Sequence, residues 1–389
     1  MSFPLPIHAD LRRALEPGAV VLLGLSGGVD SALSLAVLRE LGCEVLAVTF
    51  KNFCYSEQDD PGDKACCSLD AIEAARRLAH EHGAHHWVHD VSEPFRAQVI
   101  DPFIADYSAA LTPNPCLSCN SIVRFPELLR LADQQGCSHV ATGHYARTML
   151  DGQGGADLWR GVDPIKDQSY FLSQVPRDVW PRAVFPLGWS TKAEVRAAAR
   201  ALGMPVADKP ESQEICFVPD GDRSFLFEDE SVARPGPIVD PDGQLLGEHR
   251  GLIHYTVGQR RGLGIAYSEP LYVVSLEPEE NRLVVGTREH LAVYHLRCDR
   301  FTVAVADLGV EGPATGQDDC QVRIRHGHAG LAVKSWRRHG DTMEVELSEP
   351  AQGAAPGQGL TLYAGDRVLG SGRLLRSPVV NTPQPEGEA

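Results

Sequence analysis

The 389-residue chain contains no apolar run of about 18 residues, the length a membrane helix requires, so no membrane span is expected. The N-terminal stretch carries Asp10 and Glu16 and no continuous apolar core, which does not match a secretory signal; a cytoplasmic protein is expected. Positive charge is also scarce: the net charge is −16, which taken alone argues against a nucleic-acid partner. Two stretches escape the acidic average. His249–Ser268 has three arginines and no acid, and Cys320–Gly340 has five Lys/Arg, three histidines and no acid. Binding uses patches rather than averages, so both are candidate contacts for a polyanion. There is no internal repeat.

What is present is ordinary globular composition, 43% apolar and 23% charged, enough for two or three domains. The first half alternates strand-like and helix-like segments. Strands are expected at Ala19–Gly24, Glu44–Phe50 and His139–Thr142. Helices are expected at Asp30–Leu41, with Leu33, Val37, Leu38 and Leu41 on one face, at Ser68–His82 capped by Ser68, at Ile122–Gln135 and at Thr191–Leu202. Asp151–Asp157 reads as a hairpin turn or loop. This rhythm predicts an α/β, Rossmann-like parallel sheet over residues 1–208. After Asp208 helical periodicity fades and Gly/Pro turns recur between short alternating runs, such as Leu271–Leu276, Leu283–Gly286, Gln321–Arg325 and Met343–Leu347. A small central β-rich domain over 209–287 and a C-terminal β-barrel over 288–378 are expected, with a disordered tail from 379.

The strongest motif is Gly24-Leu25-Ser26-Gly27-Gly28-Val29-Asp30-Ser31, between the first strand and the first helix. Adjacent glycines allow close backbone approach to an anion, the serines offer hydroxyls, and the helix N-terminus adds free N–H groups. Asp30 is placed to cap the helix or help hold Mg²⁺. The segment is neither a G-K-[ST] phosphate loop nor a G-x-G-x-x-G dinucleotide loop. It resembles the pyrophosphate loop of the N-type ATP pyrophosphatases. That resemblance implies that a substrate oxygen attacks the α-phosphate of ATP and pyrophosphate leaves.

Ten cysteines are present. In a long cytoplasmic chain, clustered ones point to metal or catalysis, whereas Cys43 and Cys137 read as small buried apolar residues. Cys116 and Cys119 stand as C-x-x-C in Asn114-Pro115-Cys116-Leu117-Ser118-Cys119-Asn120, expected in a loop ahead of a helix. Cys216 lies past the helical half. Three readings compete for this trio: a structural zinc site, which would need Cys66 or Cys67 as a fourth ligand, a redox dithiol, and a sulfur-transfer pair. Cys66-Cys67 lies beside the Gly/Asp-rich loop Gln58–Ala65, which could cover a site or be incidental.

Six blocks in order carry a closer resemblance: Ser26–Ser31, Asn114–Asn120, Ala141–Tyr145, Lys166–Leu172, Ser212–Phe217 and His254–Gly264. Through them the chain resembles the tRNA-specific 2-thiouridylase (MnmA) family over almost its whole length. The resemblance implies ATP-dependent 2-thiolation of the wobble uridine in tRNAs for Lys, Glu and Gln. ATP would be contacted by Gly24, Leu25, Ser26, Gly27, Gly28, Val29, Asp30, Ser31, Phe50 and Gly143. Cys119 would be the nucleophile and Cys216 the persulfide carrier, reloaded by a cysteine desulfurase or a sulfur-relay protein. Asn114, Pro115 and Cys116 would face the target base. Lys166, Asp167 and Gln168, with Arg325 and His326, would touch tRNA, and the last two fall in the second acid-free stretch.

Cys116 departs from the family pattern, where Asp is frequent and is assigned general-base work. For members with C-x-x-C here the resemblance implies a second route, a [4Fe–4S] cluster held by Cys116, Cys119 and Cys216 with one iron open to hydrosulfide. Phe50 replaces a frequent methionine and can still pack on adenine. Two rivals stay open. One is another adenylating synthetase of the same fold, which would not need the cysteines. The other is a non-catalytic RNA-binding protein with ATP as a structural ligand.

Overall fold

The computed structural model describes residues 3–53, 69–210, 215–218, 234–313 and 320–376. Cys54, Cys66, Cys67, the Gln58–Ala65 loop, Ser68, residues 211–214 and the 379–389 tail lie outside them.

The apolar run Val20–Gly24 forms β1, and Val21, Leu22 and Leu23 are fully buried because both faces of the strand are covered. It pairs in parallel with β2 (Glu44–Lys51) on one side and β4 (His139–Ala141) on the other. β3 (His85–Asp90) extends the β2 side, and β7 (Ala183–Val184) the β4 side. The order β3-β2-β1-β4-β7 reverses direction between β1 and β4. The turns leaving these two strands therefore diverge, opening a crevice at the carboxyl edge of the sheet.

The helix after β1, Val29–Glu40, is buried nearly all round, including Leu35 and Ala36 outside the expected face. The helices Leu69–Glu81 and Lys192–Ala201 flank it, so an apolar residue is tolerated at almost every position. The C-x-x-C segment is helical rather than a loop. Asn114 caps a turn over Pro115–Ser118, accepting the Cys116 N–H at 3.2 Å, and Pro115 occupies the first helical position, where its missing donor costs nothing. A π-helical stretch, Cys119–Arg124, then runs into the helix Phe125–Gln134. The helix expected from Ile122 thus begins about two turns earlier, at Pro115, with both cysteines inside it.

Asp151–Asp157 turns a hairpin between β5 (Ala146–Leu150) and β6 (Ala156–Arg160). A central four-stranded sheet follows, built from β8 (Gly236–Val239), β9 (Leu245–His249), β10 (Tyr272–Glu277) and β11 (Arg282–Gly286) in the order β10-β11-β8-β9. The last domain uses β12 (Ala292–Val303), β13 (Glu311–Pro313), β14 (Cys320–Arg323), β15 (Leu331–His339), β16 (Thr342–Gln352), β17 (Gly359–Ala364) and β18 (Arg367–Leu374). Six of these close as β12-β16-β15-β14-β17-β18, with β18 returning to β12, an antiparallel barrel with β13 added to β15.

The barrel is joined to the parallel-sheet domain through β6, which pairs with β18 at Trp159 and Arg367. Asp157 accepts from Arg177 at 3.1 Å and from Arg367 at 2.9 Å across this seam. One apolar core runs through it, from Leu22 and Phe125 to Tyr363 and Val368. Asp167 is 2% exposed; Oδ1 accepts the N–H groups of Gly161 and Ser169, and Oδ2 accepts from Arg323 of β14 at 3.0 Å. Asp167→Ala would leave a buried guanidinium without this partner. A loss of about 3–5 kcal/mol is expected, read as a lower urea midpoint.

Candidate active site

A cleft of 340 Å³ opens where the sheet order reverses. The turn after β1 forms its floor. Gly27 has φ +72°, and a Cβ there would lie 2.4 Å from the Ala71 carbonyl oxygen, so the loop packs directly on the Leu69–Glu81 helix. Ser31 shapes the loop: its hydroxyl accepts the Ser26 N–H at 3.1 Å and donates to the Gly28 carbonyl at 3.1 Å. The Ser26 hydroxyl lies 3.2 Å from it. Gly28 occupies the cap position of the helix without a side-chain cap, so the first N–H groups are left to a ligand.

Asp30 does not cap the helix. Its carboxylate takes the Tyr145 hydroxyl at 2.7 Å and the Lys192 ammonium at 2.7 and 2.8 Å. Neither partner was visible from sequence. In the sequence Tyr145 is only part of the Ala141–Tyr145 block and Lys192 only one residue of the Thr191–Leu202 helix. The available signal was a lysine at the first position of a helix, where a cation is disfavoured.

Val48, Thr49 and Phe50 of β2 form one wall; Thr142, Gly143 and His144, after β4, form another. Gly143 sits against the phosphate loop, where a Cβ would be 2.8 Å from the Ser31 nitrogen. Burial, helped by the Arg124 charge, pushes His144 down to about 3, so its imidazole is neutral at physiological pH. Its Nδ1 lies 2.7 Å from the Thr142 hydroxyl. Gln168 also lines the cleft, and its side-chain oxygen accepts the Tyr145 N–H at 2.9 Å.

The cysteines adjoin this cleft. Cys119 is 8% exposed and belongs to an apolar cluster with Phe95, Phe103 and Phe217, against which Phe50 and Cys216 also pack. Cys119, Cys216 and Phe50 of the β2 wall therefore share one aromatic cluster. Cys116 and Cys216 are half-buried thiols. Asn120 fixes the segment: its amide donates to the Phe171 carbonyl at 3.0 Å, and its oxygen accepts from Arg124, another cleft residue, at 3.0 Å. The barrel braces the approach, since the Thr112 N–H donates to Pro356 at 2.7 Å and Gln358 donates to the Thr112 carbonyl at 2.9 Å. Among the described residues no three His, Cys, Asp or Glu side chains converge as a metal site, so Cys116, Cys119 and Cys216 do not stand as a ready cluster cradle. Cys43 and Cys137 are buried, and burial pushes both thiols up, as their reading as packing residues requires.

The expected RNA contacts gather at one rim. The His326 ring packs on Phe171 at 4.3 Å between centroids, and Arg325 beside it is exposed. Lys166 is half-exposed and close enough to help lower the His326 pKa, which burial lowers first. Asp167 is different: it is sealed under the loop and grips Arg323, so it positions this rim rather than presenting a surface. No helix among the described residues is long and apolar enough to cross a membrane.

A parallel sheet with a glycine-rich anion loop at its switch point, followed by two small β domains, defines an adenylating enzyme fold with an appended barrel. Family models match in sequence along the chain: the tRNA methyl transferase HUP domain over 19–220, the tRNA methyl transferase PRC-barrel domain over 223–287 and the aminomethyltransferase beta-barrel domain over 299–374. The tRNA-specific 2-thiouridylase MnmA of Geobacter metallireducens is 44% identical over 357 residues, 90% of this chain and 95% of that protein. The MnmA of Rhodospirillum rubrum is 44% identical over 368 residues, 91% and 96% of the two chains. The chain belongs to the tRNA-specific 2-thiouridylase family. Among solved structures, a 4-thiouridine synthetase–RNA complex with bound ATP aligns at 18% identity and TM-score 0.33, over 52% of this chain and 46% of that one.

Proposed function

We propose that the protein is a tRNA-uridine 2-sulfurtransferase acting in the cytoplasm on the wobble uridine, position 34, of tRNAs for Lys, Glu and Gln. The observation that carries this reading is the shared aromatic cluster, which joins Cys119 and Cys216 to Phe50 of the nucleotide cleft. A synthetase using ammonia or an amine has no need of two thiols there, and an RNA-binding protein has no need of a phosphate loop beside them.

The uridine leaves its stack and enters beside Asn114, Pro115 and Cys116. ATP, arriving as its Mg²⁺ complex, lies with its phosphates on the Gly24–Ser31 loop and its base against Phe50 and Gly143. The C2 oxygen attacks the α-phosphate and pyrophosphate leaves, its charge held by loop N–H groups. A persulfide on Cys216 then attacks C2 through its terminal sulfur, and AMP departs with the former C2 oxygen. The Cys119 thiolate attacks Sγ of Cys216, releasing 2-thiouridine and leaving a Cys119–Cys216 disulfide. A thiol reductant restores both cysteines, and a cysteine desulfurase or sulfur-relay protein reloads Cys216.

Lys166, Gln168, Arg325 and His326 form the tRNA rim, with Asp167 bracing it. Residues 1–208 serve as the catalytic domain, 209–287 as the central domain and 288–378 as the tRNA-binding barrel. Cys116 occupies the place of the family's acidic base: its thiolate takes the N3 proton that the uridine loses as its C2 oxygen is adenylated, and returns it to the 2-thiouridine released.

The test is release of labelled pyrophosphate with and without tRNA. Release that requires tRNA and matches thiouridine formed is expected; release indifferent to tRNA would overturn the reading. Anaerobic purification with iron and sulfide analysis checks the sulfur route. Stoichiometric iron, lost in both Cys116→Ala and Cys119→Ala, would replace the persulfide route by hydrosulfide on a [4Fe–4S] cluster.

A further inference from the structure

Lys192 breaks two local rules at once. It is the first residue of the Lys192–Ala201 helix, where Thr191 and Glu194 form a reciprocal capping box. Acidic groups are favoured at that end and a cation is opposed by the helix dipole. The residue is also 8% exposed, although lysine is rarely buried. Helix stability would be served better by almost any other residue here, and a sequence that breaks local rules commonly does so at a functional site.

The surroundings hold the ammonium against a residue of the cleft wall. Nζ lies 2.7 and 2.8 Å from the two oxygens of Asp30, which borders the phosphate loop. The ammonium is 5.4 Å from the centre of the Tyr145 ring, and the Tyr145 hydroxyl donates to Asp30 at 2.7 Å. The base of the side chain is fixed too: the Lys192 N–H donates to buried Asp163 at 2.9 Å. Asp163 also accepts the N–H groups of Ile165 and Lys166 at 3.0 and 3.2 Å, so the same anchor shapes the RNA rim. A long flexible cation is thereby held, with little freedom left to lose, beside Asp30 in the first turn of the helix that follows the loop.

We propose that Lys192 binds the β,γ-phosphates of ATP and the pyrophosphate they become, with Asp30 and Tyr145 holding its ammonium in place before the nucleotide arrives. This rests on the reading that ATP is cleaved between its α- and β-phosphates. Loop N–H groups supply only partial positive charge, and a departing pyrophosphate gains negative charge as the bond breaks. A full ammonium pre-set on Asp30, a residue that lines the cleft, meets that charge with little reorganisation.

The test is calorimetric binding of inorganic pyrophosphate, and separately of AMP, to the full-length protein. Lys192→Met is expected to weaken pyrophosphate by at least about tenfold and to leave AMP within about twofold, because AMP lacks the phosphates at issue. Lys192→Arg should recover most of the loss. A folded Lys192→Met protein that binds pyrophosphate like wild type overturns the proposal, as does a wild type that binds ATP but no pyrophosphate. Should Lys192→Met fail to fold because Asp30 loses its partner, Asp30→Asn/Lys192→Met removes both charges. That pair should bind AMP and not pyrophosphate; wild-type pyrophosphate affinity in it also overturns the proposal. A wild type that binds pyrophosphate but never thiolates tRNA defeats the sulfurtransferase reading and leaves Lys192 where it is placed here.

Discussion

Cys216→Ser is expected to abolish thiolation, by more than about 10³-fold, while ATP affinity stays within about twofold of wild type. A serine hydroxyl cannot carry sulfane sulfur, and the nucleotide cleft does not use this side chain. The substitution is nearly isosteric and the residue is half-buried, so folding should survive. The informative measurement is the fate of the adenylated base. With sulfur delivery removed, tRNA-dependent pyrophosphate release should fall to a single turnover or to slow hydrolysis. Cys119→Ser should behave differently: it should permit attack on C2 and halt afterwards, trapping tRNA on the protein through a disulfide to Cys216 that a reductant releases. Full activity in either variant would remove the persulfide route.

The second large effect is expected at Gly143→Ala. The added methyl would lie 2.8 Å from the Ser31 nitrogen and 2.9 Å from the Asp30 carbonyl carbon. Both are backbone atoms at the start of the buried Val29–Glu40 helix, so no side chain can swing aside. Either the phosphate loop or the turn after β4 must move, and both line the cleft. A displacement near 1 Å at a reacting centre is worth about 10²-fold in rate, and overpacking costs about 1–3 kcal/mol of stability. Expected, then, is a loss of about 10²-fold or more in kcat/KM for ATP with a lowered but cooperative unfolding transition. A variant with wild-type kinetics would show that the loop and the β4 turn are not in contact during catalysis.

The sequence was informative where chemistry is written into a contiguous run. The phosphate loop, the C-x-x-C and the change from helical to alternating patterns could all be read because each needs particular residues at fixed spacing. It misled where structure has no compositional signature. Nothing in Cys119–Arg124 distinguishes a π-helical stretch from the helix it enters, so the two cysteines looked like a loop. The strand His85–Asp90 was missed because its histidines and half-exposed positions lack alternation, as suits the outer edge of the sheet. The resemblance puts Asp167 with Lys166 and Gln168 as a tRNA contact, and nothing local shows that its carboxylate turns inward to Arg323.

By itself the sequence determined the domain order, the anion loop, the three thiols and the family, since these depend on local propensity and on residue identity. Only the tertiary structure decided that Asp30 answers to Tyr145 and Lys192, that Cys216 joins Cys119 beside Phe50, and that the β5–β6 hairpin fastens the barrel to the catalytic sheet. Those partners lie roughly 100 or more residues apart along the chain, and no local pattern encodes a pairing across such a distance. It is settled by which faces remain to be buried once the sheet reverses direction between β1 and β4.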